Sequence, residues 1–196
     1  MNNLFVKENA FVITLIISII FLLVFYILSY FQLIQSTESL ALIGEASRWC
    51  ERVSGGVFRE PINTLTNLGF MVAGLYILHK LTNETSFNEF SGLNKITILY
   101  GVAVVYLGPG SMMMHGTNTE WGGWADNLSM VMYIILPWLY NCYKMSNWSV
   151  NTLLTTYFSI VIFYALLRGL FGYGMGIGLD LFGVSIGLWV ISEFLY

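Results

Sequence analysis

The stretch FVITLIISIIFLLVFYILSYF, Phe11 to Phe31, contains no charged residue. As a helix rising about 1.5 Å per residue it would reach across roughly 30 Å of hydrocarbon. Its apolar run is longer than the roughly 7–15 residues of a secretory h-region, and no small-x-small cleavage site follows, so it reads as a retained anchor. Five further runs of comparable character follow: Pro61–Leu81, Ile96–His115, Asp126–Tyr143, Thr152–Phe171 and Met175–Leu195. The whole chain is 57% hydrophobic and only 10% charged, with a mean hydropathy of +0.71. A soluble domain would carry about a quarter of its residues as charges. The expected fold is therefore all-α, a polytopic transmembrane helix bundle with about six membrane helices.

A net charge of −3 over 196 residues leaves no basic footprint for nucleic acid. Basic residues do not choose an orientation. Counting crossings puts Lys7, Lys80, Lys95 and Lys144 on one side against Arg48, Arg52, Arg59 and Arg168 on the other, a tie under the positive-inside rule. The same counting separates Cys50 from Cys142, so no disulfide is expected between them.

The connection Gln32–Glu60 is the longest and holds Glu38, Glu45, Glu51 and Glu60. Leu40, Ile43, Ala46 and Trp49 recur at helical spacing within it, which predicts an interfacial helix over Ser39–Glu51. GYGMGIG, Gly172–Gly178, resembles a phosphate-binding loop, but no strand precedes it and no Lys-Ser/Thr follows. Gly174/Gly178 and Gly183/Gly187 have the spacing of close helix packing instead.

Polar residues gather at helix ends. Glu60 and Asn63 start the second run, Ser111 and His115 close the third, Asp126 opens the fourth, Arg168 closes the fifth and Asp180 lies early in the sixth. In an up-and-down bundle these ends share one membrane face. Ser111 and His115, at i and i+4, also share one helix face. Gly108-Pro109-Gly110 just before them predicts a bend that admits a ligand or another backbone. Ionisable groups at membrane depth mark functional sites. His79 lies 16 residues beyond Asn63, roughly 24 Å along the same helix, and is excluded from that gathering.

Each residue also has a plain structural reading. Ser111 can be a packing residue, His115 an interfacial one and Asp126 a helix cap, while Pro61 suits a first helical turn. Asn63 and Asn67 can be interhelical glue, Trp121, Trp124 and Trp138 belt residues, and Met112–Met114 packing residues. Only their combination argues for a site.

That combination has a family pattern. WCERVSGGVFREPINTLTN followed by GSMMMHGTNTEWGGWADNLSM resembles the alkaline ceramidases of the CREST superfamily of membrane hydrolases. Trp49, Cys50 and Glu51 fit a Trp-Cys-Glu element. Glu60, Asn63, Thr64 and Asn67 fit a helix start, and Ser111 and His115 fit a Ser-x-x-x-His pair. Asp126 falls eleven residues after His115. The resemblance runs from about Trp49 to the C-terminus. It implies a seven-helix core that cuts a ceramide-like lipid amide into sphingoid base and fatty acid. It further implies zinc held by three histidines, of which His115 is one, and calcium at the acidic N-terminal segment, where Glu51 and Glu60 carry over. Ser111 and Asp126 would be catalytic, with Trp49 and Asn63 in support. Two departures stand out. Arg48 occupies a position where the family has an acid, and the late His-x-x-x-His is absent.

The expected organisation is an N-terminal anchor helix over residues 1–35 and a ceramidase-like bundle over 36–196, read as lacking its last helices. The expected partner is a membrane lipid substrate. Two rival readings stay open: an ester-cutting lipid hydrolase of the same superfamily, and a non-catalytic membrane protein with a vestigial pocket.

Overall fold

The computed structural model describes residues 2–84, 92–171 and 180–196, with side chains from residue 9 onward. The glycine pair Gly174/Gly178 and the side chain of Lys7 lie outside the described residues. So do parts of the Thr82–Asn94 connection and of the Met175–Leu195 run. Described structure is almost wholly helical: α1 (Asn2–Tyr30), α2 (Pro61–Thr66), α3 (Leu68–Asn83), α4 (Lys95–Thr117), α5 (Glu120–Met145), α6 (Val150–Phe171) and α7 (Leu181–Leu195). Helices α2 and α3 follow one another across Asn67 as a single run, Pro61–Asn83.

Among the described residues four runs are long and apolar enough to cross a membrane: Asn9–Tyr30, Pro61–Asn83, Lys95–Thr117 and Val150–Phe171. The protein is an integral, multi-pass membrane protein. The other two expected spans differ in kind. Helix α5 is 26 residues long, about 39 Å at 1.5 Å per residue. Glu120, Asp126, Asn127 and Asn141 dilute its apolar character. The described part of α7 is 15 residues, about 22 Å, shorter than the hydrocarbon.

Two compact units divide the chain, Met1–Asp126 and Asn127–Tyr196. In the first unit the most extensive helix contact is α3 on α4, and α1 packs on both. Glycine makes that approach possible: a Cβ added at Gly74 would lie 2.5 Å from the backbone nitrogen of Val105 and 2.8 Å from the carbonyl oxygen of Gly101. Close backbone contact of this kind is how helices associate where lipid competes for every apolar side chain. Phe25 of α1, Met71 of α3 and Met112 of α4 form a buried cluster, with Phe21, Phe58 and Met113 packed against it.

The second unit contains the rest of α5 with α6 and α7. Tyr157 donates its hydroxyl proton to the carbonyl of Met132 at 2.9 Å. Asn141 donates to Ser192 and to Glu193, each at 3.0 Å.

Three expectations are corrected. The segment Ser39–Glu51 is not a helix. A 3-10 turn, Glu38–Leu42, leads into a small hairpin in which Gly44 N–H donates to Val53 (2.8 Å), Val53 N–H to Glu45 (2.9 Å) and Ser47 N–H to Glu51 (2.7 Å). Gly44 and Cys50 take positive φ, 90° and 64°, which no α-helix accommodates. Second, Asp126 does not open α5. The helix starts six residues earlier, where Thr119 Oγ1 accepts from Gly122 N–H at 3.1 Å. Third, Asp180 precedes α7 as its N-cap and is not inside it. Helix α4 itself continues through Pro109 and ends at Thr117, two residues past the expected end.

Candidate active site

The site lies within the first unit and is built from the end of α4, the start of α5, the start of α2 and the hairpin. Helix α4 begins in a capping box, where Asn94 accepts from Thr97 N–H and Thr97 Oγ1 accepts from Asn94 N–H, each at 3.0 Å. It ends at Asn118 in the left-handed conformation, whose N–H donates to Met114 at 2.8 Å. Asn118 tolerates that conformation and turns the chain directly into α5. A Cβ on Gly122 would sit 2.6 Å from the Met113 carbonyl oxygen, so the glycine lets the first turns of α5 lie against the last turns of α4. Asp126, more than one turn further along, is thereby brought to Ser111. The Ser111 hydroxyl donates to the Asp126 carboxylate.

On the other side of His115 stands Glu60. The Nδ1 atom of His115 lies 2.6 Å from Glu60 Oε2. The backbones are tied as well: Glu60 N–H donates to the His115 carbonyl at 3.0 Å and Arg59 N–H to the Gly116 carbonyl at 3.1 Å. These bonds occupy carbonyls at the C-terminal end of α4 that helix geometry leaves unpaired. Glu60 is almost fully buried. Burial alone would raise its pKa. Hydrogen bonds from His115, Asn63 and Ser47 outweigh burial and hold the carboxyl below its usual range.

The hairpin completes the enclosure. Glu51 spans the N-terminus of α2, Oε1 accepting from Ile62 N–H at 2.7 Å and Oε2 from Asn63 N–H at 2.8 Å. A carboxylate at that place also complements the helix dipole. Asn63 Nδ2 donates to Glu60 Oε2 at 2.9 Å. The Trp49 ring meets His115 edge-on, centroids 5.9 Å apart, and carries Arg48 at 5.4 Å on its ring. Arg59 is buried and donates to Ser39 Oγ at 2.7 Å and to the Ser54 carbonyl at 3.3 Å, which pins the hairpin's base to the preceding turn.

The residues picked out from sequence thus fall as follows. Ser111, His115, Asp126, Glu51, Glu60, Asn63 and Trp49 are all in the first unit. His79 lies on α3 beside Phe11 and Asn83, while Arg168 and Asp180 belong to the second unit. Two features escape a reading by spacing: the Ser47 hydroxyl on Glu60, and the direct contact of Glu60 with His115. Ser47 offered no signal, because only a turn brings it there. The Glu60–His115 contact had a faint one: an acid ahead of a helix start beside a helix-terminal imidazole.

Zinc does not find a full ligand set here. Among the described residues no three His, Cys, Asp or Glu side chains are grouped as a metal would need. His115 is one imidazole, and its Nδ1 is already taken. Calcium meets a similar difficulty: both oxygens of Glu51 cap α2, and Glu60 Oε2 is held by His115 and Asn63.

An apolar groove of about 380 Å3 runs between α1 and α4, lined among others by Ile13, Ile17, Val102, Val105 and Pro109. It is not the site. Each helical residue turns about 100°, so Ser111 points roughly opposite to Pro109 around α4.

A helical integral-membrane protein with a half-buried serine–carboxylate–imidazole cluster near its helix ends is the class that fold and site define. The sequence profile named Ceramidase matches residues 46–190, and the chain belongs to that family. No curated protein and no solved structure matched the chain.

Proposed function

We propose that this protein hydrolyses the amide bond of ceramide-like membrane lipids, releasing a sphingoid base and a fatty acid. The single observation behind this reading is that Ser111, His115 and Asp126 converge in one unit of a chain of the Ceramidase family.

The chemistry assigned to the chain's own residues is as follows. Water attacks the amide carbonyl carbon, a C–O bond forms, and the proton released goes to the Asp126 carboxylate. The Ser111 hydroxyl, which rests on Asp126, turns about its Cβ–Oγ bond and donates to the developing oxyanion. Such a donor lowers the barrier by about 2.7–4 kcal/mol. The C–N bond then breaks as Asp126 returns its proton to the leaving nitrogen. Lipid chains stay in the apolar surroundings of the bundle, while the polar junction sits at the helix ends.

The test is lipid turnover by purified protein in nanodiscs, followed by mass spectrometry of the released fatty acid. Wild type is expected to cut the amide in ceramide faster than an ester of matched chain length. Faster ester cleavage would move the assignment to an ester hydrolase, and no turnover of either would favour a non-catalytic role.

A further inference from the structure

We propose that Glu60 is a positioning residue that holds His115 as its Nδ1–H tautomer and leaves Nε2 as the nitrogen with the open lone pair. The proposal deepens the hydrolase reading and rests on it for any effect on turnover, though its physical test does not depend on turnover.

The geometry carries the argument. A carboxylate oxygen can only accept, so at 2.6 Å from Glu60 Oε2 it is Nδ1 that bears the proton. The hydrogen bond at one ring nitrogen decides what the other can do. The main chain of Glu60 is fixed beside the ring, because its N–H is bonded to the His115 carbonyl at 3.0 Å. The same Oε2 takes a second bond from Asn63 Nδ2 at 2.9 Å. Glu51 fixes the turn on which Glu60 sits by capping Ile62 and Asn63. The edge of Trp49 closes against the imidazole from another side. Each contact limits rotation of one ring, and together they select one orientation. With Nδ1 occupied, Nε2 is the ring nitrogen left to exchange a proton.

The experiment uses nitrogen-15 spectra of ring-labelled histidine in the full chain, in nanodiscs after chelator treatment, followed over pH to the neutral ring. The sequence has two histidines, so a His79→Gln background leaves His115 as the only signal. Wild-type protein should show a proton on Nδ1. Glu60→Ala should move the proton to Nε2, and Glu60→Gln should keep it on Nδ1, since the amide oxygen can still accept. In turnover, Glu60→Ala should lower kcat by about 10–100-fold with KM little changed, the size typical of losing a carboxylate that orients a histidine. Glu60→Gln should recover most of that loss. A monodisperse elution profile for each variant checks folding. A proton on Nε2 in wild type, or an unchanged tautomer in Glu60→Ala, would overturn the proposal. A tautomer change in a protein that cuts no lipid would leave the positioning intact and remove the hydrolase reading.

Discussion

Helices α1 and α4 look interchangeable at first sight: both are apolar, about membrane length and members of the same unit. The more apolar of the two is the less enclosed. Over its membrane window α1 has a mean hydropathy of 3.1 with 11% of residues buried, while α4 has 1.5 with 50% buried. In water that ranking would be inverted, because burial would follow hydrophobicity. In a bilayer, lipid satisfies an isoleucine as well as a neighbouring helix does. Enclosure therefore goes to the helix whose small residues permit close approach and whose polar residues need partners. Gly101, Gly108, Gly110 and Gly116 make α4 that helix, and Ser111 and His115 are its cargo.

The largest effects should come from breaking the polar side of this contrast. Ser111→Ala is expected to lower lipid turnover about 100–1000-fold, the loss seen when an oxyanion donor is removed. Asp126→Asn should match or exceed it, because the proton acceptor is lost. Initial rates of fatty acid release, with expression and elution profile unchanged, check both. Turnover near wild type would remove these residues from the mechanism.

Next in size is the packing of α4. Gly74→Ala forces a methyl against the backbone of Val105 and Gly101, and overpacking of this kind costs about 1–3 kcal/mol. Thermal unfolding in detergent should register it, and a neutral outcome would mean that α3 and α4 separate more easily than their contact implies. Asn94→Ala removes the side-chain acceptor of the capping box, leaving its backbone N–H to Thr97, and should cost about 1 kcal/mol. The same unfolding assay measures it. Smallest of all should be changes on the lipid face of α1. Ile16→Leu and Leu23→Ile alter exposed side chains and should stay within about 0.5 kcal/mol of wild type. A larger loss would show that α1 is held by more than its inner face.

A good part of the architecture was legible because bilayer thickness sets run length. Pro61 begins α2 where expected, and the α4 and α6 runs match to within two residues at each end. The hairpin was not legible. Leu40, Ile43 and Trp49 keep helical spacing, yet Gly44 and Cys50 turn the chain, and long-range bonds to Val53 decide the outcome. The expected start of α5 at Asp126 was also misplaced, since the helix opens at Glu120 and Gly122 serves as a contact surface against Met113.

By itself the sequence determined that this is a helical membrane protein, because uncharged runs of that length have no other stable home. It also determined which few polar side chains could do chemistry, since so few are present. Only the tertiary structure decided which of them touch. The pairing of Glu60 with His115, 55 residues apart, and of Ser111 with Asp126 depends on backbone bonds, a left-handed turn at Asn118 and a missing side chain at Gly122. None of these leaves a periodic trace in the chain, because each is set by distance in space rather than by spacing in sequence.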